Sequence, residues 1–175
     1  RSEYGYADIV IRPTSTSASR YLNPFKLERY ADALAWAVPK LSAEAKLGEQ
    51  TLRVHGFPLE TLERMLELPI LEQLDLFPFA GNKILVSAKF AGENRLRLGD
   101  ALTLRIRGNR HVFVIAGLCP SVGPFVSERE AYTAVIPLEK MQACLGQPGK
   151  ADTLYIGLKD RATLSPMILR LSTLY

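Results

Sequence analysis

The sequence has few of the residues that most often carry chemistry. Its two cysteines, Cys119 and Cys144, form no CxxC pair, so neither a zinc site nor a disulfide scaffold can be assembled from this chain alone. Its two histidines, His55 and His111, both fall in strand-like segments, where an ordinary sheet position is the expected reading. P-loop, dinucleotide-binding, zincin, nucleophile-elbow and EF-hand patterns are all missing. No apolar run approaches the about 18 residues of a membrane span, and the first residues lack the layout of a secretory signal, so the stretch is expected to be soluble. Lys and Arg number 22 against 18 Asp and Glu, spread without a run of one sign, and nucleic acid is not an expected partner. No repeat of solenoid or propeller period occurs.

What is present is the composition of a folded protein, 47% hydrophobic and 23% charged over 175 residues, long enough for a real core. Residues 7–12 form a short β-branched strand stopped by Pro13, and a Ser/Thr-rich loop follows over 14–19. Asn23-Pro24 then offers an N-cap and a first-turn proline, and Leu27, Tyr30, Leu34, Val38 and Leu41 recur at helical spacing. This predicts a long amphipathic helix, kinked or ended at Pro39, with a shorter helical piece reaching about Leu47. A strand over 51–55, a break at Gly56-Phe57-Pro58 and a short helix carrying Leu59, Leu62 and Leu66 come next.

Beyond Gly81-Asn82 the period changes to two. Residues 83–87 form a strand, and 101–107 form another with Leu102, Leu104 and Ile106 on one face and Thr103, Arg105 and Arg107 on the other. Gly108-Asn109 is predicted to close a hairpin in a type II′ turn, with 111–117 returning as a strand apolar on both faces. A strand over 131–136, a proline-started helix over 137–145 stopped by Gly146, and a last strand over 153–158 complete the pattern. The expected fold class is α+β. An α/β portion of β-α-β units comes from residues 1–56 and 131–175, and an inserted β-rich portion with the hairpin from 57–130.

No set of side chains reads as a catalytic site. Glu60, Glu63 and Glu67 are spaced like the solvated flank of a helix, and Glu128, Arg129 and Glu130 like a surface loop. Cys119 and Cys144 are unpaired thiols, or a disulfide if the strand after Gly117 lies beside the helix after Pro137. Trp36 falls on the far side of the first helix from its leucine stripe, either covered by a further layer, the favoured reading, or exposed to a partner. Arg105 and Arg107, with Arg95, Arg97 and Arg110 nearby in sequence, can make a basic patch on the hairpin. Candidate partner contacts are therefore Arg105, Arg107, Asn109, Arg110, Phe125 and Trp36, as loop and hairpin positions.

Several motifs stand in a familiar order. Leu98-Gly99-Asp100 precedes a strand; the return strand ends in Ile115-Ala116-Gly117; a third strand runs into Pro137-Leu138-Glu139-Lys140-Met141-Gln142; and a Gly-rich link over 146–152 precedes the last strand. Upstream, Ala7-Asp8-Ile9-Val10 and Val54-His55-Gly56-Phe57-Pro58 fit the same series. In these features the chain resembles the extracytoplasmic core domain of MacB-like and FtsX-like ABC transporter permeases. It departs from the family at Cys119-Pro120 and Phe57. The hairpin connection is only Gly108-Asn109, without the long chaperone-gripping arm of the lipoprotein-releasing members, which leaves export or signalling members.

The resemblance implies a non-catalytic domain on the extracytoplasmic face of the cell membrane, between transmembrane helices of the same permease. It implies a second permease subunit and a cytoplasmic ATPase as partners, with an extracytoplasmic adaptor or substrate protein as a further one. No cofactor is expected in the domain itself, since ATP belongs to the separate ATPase. The alternative is a stand-alone binding module for a peptide or anionic ligand at Arg105, Arg107 and Arg110, with an enzyme third.

Overall fold

Alternating apolar side chains along the strands, more than any helix, organise this chain. The computed structural model describes residues 6–14, 16–17, 19–65, 67–125 and 132–175. Leu66, Ala131 and the tripeptide Glu128, Arg129 and Glu130 lie outside the described residues, as do two positions of the 14–19 loop. In chain order the elements are β1 (Ile9–Ile11), a 3-10 helix (Pro24–Ala33), β2 (Leu34–Leu47), β3 (Gln50–Phe57), α1 (Leu59–Met65), β4 (Glu72–Gln73), β5 (Lys83–Ser87) and α2 (Ala88–Glu93). There follow β6 (Ala101–Ile106), β7 (Asn109–Cys119), β8 (Tyr132–Pro137), α3 (Leu138–Leu145), β9 (Thr153–Leu158) and α4 (Leu164–Leu174). The fold is α+β.

Six of the strands pair in a closed ring. β2 runs antiparallel to β3, β3 parallel to β8, β8 antiparallel to β5, β5 parallel to β7, β7 antiparallel to β6, and β6 returns antiparallel to β2 at Ala45 and Lys46. Because side chains alternate across a strand, every second residue points into the ring. Leu52 and Val54, Ile84 and Val86, Leu102, Leu104 and Ile106, Phe113 and Ile115, Ala134 and Ile136 share one buried cluster there. Burying each of the valine, leucine, isoleucine and phenylalanine side chains among these stabilises the fold by about 1.5–3 kcal/mol before conformational entropy is counted. Phe90 and Ala91 of α2 and Met141 and Leu145 of α3 complete that cluster. Docking of α3 requires Gly56, since a β-carbon there would lie 2.6 Å from Cβ of Met141.

Two further clusters cover the outside. Leu85, Ala116, Cys119 and Val135 meet Leu59, Leu62 and Met65 of α1, with Phe57 and Tyr155 beside them. β9, between β1 and the first half of β2, buries Leu154, Ile156 and Leu158 against Leu22, Leu27 and Leu34 and against Met167 and Leu171 of α4.

The predicted helix over residues 24–47 is the largest departure from the sequence reading. Asn23 does cap a helical start, accepting from the Phe25 N–H at 3.0 Å, but the element is a 3-10 helix kinked at Tyr30 that stops at Ala33. From Leu34 the chain is extended for 14 residues. Leu34–Lys40 pairs with β9 and Leu41–Leu47 with β3, and β6 takes the other edge at Ala45 and Lys46, so β2 passes from β9 into the ring. Alanine and leucine favour helix in isolation, but the ladder hydrogen bonds and two covered faces outweigh a preference of a few tenths of a kcal/mol per residue.

Smaller corrections follow the same logic. β3 continues through the expected break to Phe57. The hairpin turn is Arg107-Gly108, not Gly108-Asn109: Ile106 pairs with Asn109, and φ is +49° at Arg107 and +80° at Gly108, a type I′ turn. β7 carries apolar side chains on both faces and pairs on both edges, as expected, but only its second half is covered on both, since Val112 and Val114 are 53% and 37% exposed. Helix α4 and the two-residue β4 were not expected.

Candidate functional site

The hairpin and the β2–β3 turn together border an open hollow of about 500 Å³, lined by Lys46, Gly48, Glu49, Thr103, Arg105 and Arg110. Strand register builds it. Lys46 stands opposite Arg105 across β2 and β6, and Arg105 stands opposite Arg110 across β6 and β7. All three are exposed. They alternate with Ala45, Ile106 and His111, which face the ring. The row therefore follows from the same period of two that fills the core.

Local partners differ among these cations. Lys46 donates to Thr51 Oγ1 and lies 3.7 Å from Glu44 Oε1. Among the described residues no carboxylate comes within ion-pair distance of Arg105 or Arg110. Arg107 is turned away to donate from Nη2 to the Tyr21 hydroxyl at 2.9 Å, and it does not line the hollow. Asn109 is exposed beside the turn. Arg95 and Arg97 follow α2 and do not border this hollow. Lys46 is not among the sequence-based candidates because the helical spacing of Leu34, Val38 and Leu41 predicts a helix reaching about Leu47; its place beside Arg105 depends on a pairing between residues far apart in the chain.

Phe125 is not a surface position: it is 1% exposed and packs with Cys119 and Phe79. Trp36 is half-buried in β2, its indole over Gly157 of β9, and packs against the cluster holding Val38 and Tyr155. The remaining candidates for chemistry are embedded in the fold. His55 Nδ1 lies 2.6 Å from Ser42 Oγ. Burial first, and then the charges of Lys40 and Arg53, push the His55 pKa down to about 3, so its imidazole is neutral. Burial and Lys140 lower the pKa of His111. Both cysteines are free thiols: Cys119 is buried in the outer cluster, while Cys144 borders the ring interior. Burial pushes the Cys119 thiol up to about 12, which suppresses its thiolate. Among the described residues no three of His, Cys, Asp and Glu converge as a metal site.

No family model and no curated protein matches this sequence. Solved structures do match the fold. The extracellular domain of the noncanonic ABC-type transporter YknZ from Gram-positive bacteria superposes with a TM-score of 0.60 at 11% identity, over 90% of this chain and 86% of that one. The periplasmic region of MacB from Actinobacillus actinomycetemcomitans gives 0.62 at 9% identity, over 93% and 82%. A domain of a putative permease from Porphyromonas gingivalis gives 0.51 at 14% identity, over 81% and 70%. At these identities what is shared is the fold. The chain thus has the fold of the extracytoplasmic domains of ABC-type transporter permeases, the family its motif order resembles.

Proposed function

We propose that this chain is a non-catalytic extracytoplasmic domain of an ABC transporter permease, and that it passes motion driven by a cytoplasmic ATPase to an exported substrate or a partner protein. The observation that carries the reading is the match of 90% of the chain to an extracellular transporter domain. The buried, neutral His55 and the suppressed Cys119 thiol agree with it, because neither is placed for acid–base or nucleophilic work. In this reading the domain stands at the outer face of the cell membrane, connected to transmembrane helices of its own permease and facing a second subunit. ATP is handled elsewhere, and the portion built from both ends of the chain follows the transmembrane helices.

Two measurements on the full-length natural protein test this. A cysteine placed at exposed Glu60 is expected to react with a membrane-impermeant maleimide on intact cells. Reaction only after lysis rejects the location. Spin labels at the same position in the two subunits are expected to change separation when ATP binds, and an unchanged separation rejects transmission.

A further inference from the structure

We infer that the outer face of the strand ring, between the β2–β3 turn and the β6–β7 hairpin, docks an acidic segment of another protein. Lys46, Arg105 and Arg110 form its carboxylate-binding row, and Val112 and Val114 its apolar border. The surface belongs to the ring itself, so the inference stands apart from the reading of the chain as a permease domain.

The first support is the register. Lys46 faces Arg105 and Arg105 faces Arg110, two like-charge pairs directly opposite one another. Such pairs destabilise a sheet, and neighbouring strands only about 4.8 Å apart crowd all three cations within about 10 Å. Among the described residues the only ion pair in the row is Lys46 with Glu44. Two guanidinium forks are thus left open on the surface, the group whose planar donors fit carboxylates best.

The second support is what surrounds the row. On β7 the exposed Val112 and Val114 continue the face that Arg110 begins, opposite Thr103 and Ala101 of β6. The hollow of about 500 Å³ beside Arg105 and Arg110 has Glu49 as its one lining carboxylate. A chain that alternates carboxylates with small apolar residues matches this division. A second copy presenting the same face does not, because it would bring cation against cation. A lipid surface fits less well, since membrane-binding faces insert long aliphatic or aromatic side chains and only short valines border this row.

The test is a titration of this chain with a fluorescein-labelled peptide of alternating Glu and Val, in about 0.1 M salt, where exposed charges still act over about 10 Å. Saturable binding that weakens as salt rises is expected. Arg105→Glu replaces two like-charge pairs with two opposite-charge pairs, so its melting temperature is expected to rise while peptide affinity falls about tenfold. A damaged fold would not give that combination. Arg12→Glu with Arg170→Glu, exposed positions on β1's trailing edge and on α4, is expected to leave affinity within about twofold. Equal loss in that control reduces the effect to bulk charge and overturns the inference. So does absence of peptide binding, or Arg105-dependent binding to phosphatidylglycerol vesicles or to single-stranded DNA in place of the peptide.

Discussion

Trp36 lays its indole against the bare backbone of Gly157, its register partner on β9: a β-carbon at 157 would stand 2.7 Å from Cζ2 and closer still to Cε2 and Nε1. Only glycine permits this contact between β2 and the strand outside the ring. Gly157→Ala is therefore expected to lower stability by about 1–3 kcal/mol, the usual range for overpacking. Because Trp36 is the only tryptophan in the chain, the same variant is expected to shift the fluorescence maximum to the red as the indole is pushed outward. A melting curve and an emission spectrum check both, and an unchanged spectrum with unchanged stability would contradict the packing.

Two other glycines permit a close approach, and they differ in what can give way. At Gly56 the added carbon meets Cβ of Met141 at 2.6 Å and the Leu41 carbonyl oxygen at 3.1 Å, atoms fixed by backbone. At Gly117 it meets Cδ2 of Leu85 at 2.5 Å, the far end of a side chain that can change rotamer. Gly56→Ala is accordingly expected to cost more than Gly117→Ala, with α3 displaced from the end of the ring. Chemical denaturation of the two variants gives the order, and the reverse order would count against α3 docking on β3.

Protonation of His55 sets a direction for stability against pH. Its folded pKa of about 3 lies below the unfolded value of 6.5, so between them the unfolded chain holds the proton and the folded chain does not. Stability from this group is complete above 6.5 and declines as pH falls toward 3, at a limiting slope of about 1.4 kcal/mol per pH unit. His55→Gln is expected to flatten that slope. Lys40→Met removes one of the two charges that oppose protonation, which raises the folded pKa but leaves the slope above about pH 5 nearly unchanged. Denaturant midpoints at about pH 7.5 and about pH 5 supply the comparison, and a slope in His55→Gln as steep as that of the unsubstituted protein would contradict the burial of a neutral imidazole.

The strands of period two were legible in the sequence, and β5, β6, β8 and β9 stand within a residue or so of their predicted positions. Their alternation is local information. The ring was not legible, because its closure depends on Ala45 and Lys46 meeting Ile106 and Arg105, a contact that nothing local announces. The same gap turned Leu34–Leu47 into a helix, since Leu34, Val38 and Leu41 fit a helical spacing as well as the two covered faces of β2. It also hid Lys46 from the basic patch. Arg105 and Arg110 stand out because they sit on a clean alternating hairpin, whereas the burial of Phe125, beside a Gly-Pro turn, is decided by tertiary packing against Cys119 at the end of β7 and against Phe79, far from it in the chain.

The hairpin turn offers the most direct way to separate what stabilises this region from what occupies its surface. Arg107 has a φ of +49°, a left-handed conformation that crowds a β-carbon, followed by Gly108 at +80°. Asparagine followed by glycine is the pair best suited to this turn, so Arg107→Asn relieves about 1 kcal/mol of backbone strain. The same change removes the 2.9 Å hydrogen bond from Arg107 to the Tyr21 hydroxyl, an exposed contact that contributes about 0.5–1 kcal/mol. The two effects oppose each other, and Arg107→Asn alone is expected to be close to neutral. In a Tyr21→Phe background the hydrogen bond is already gone, and the same substitution is expected to raise stability by about 1 kcal/mol. A double-mutant cycle by thermal or denaturant unfolding isolates the contact, and a loss of stability in the Tyr21→Phe background would mean that the turn does not hold position 107 in the left-handed region. Because Arg107 stands outside the Lys46, Arg105 and Arg110 row and makes no contact in the hollow, binding of the Glu-Val peptide is expected to change by less than about twofold in every corner of the cycle, the effect of one lost charge nearby.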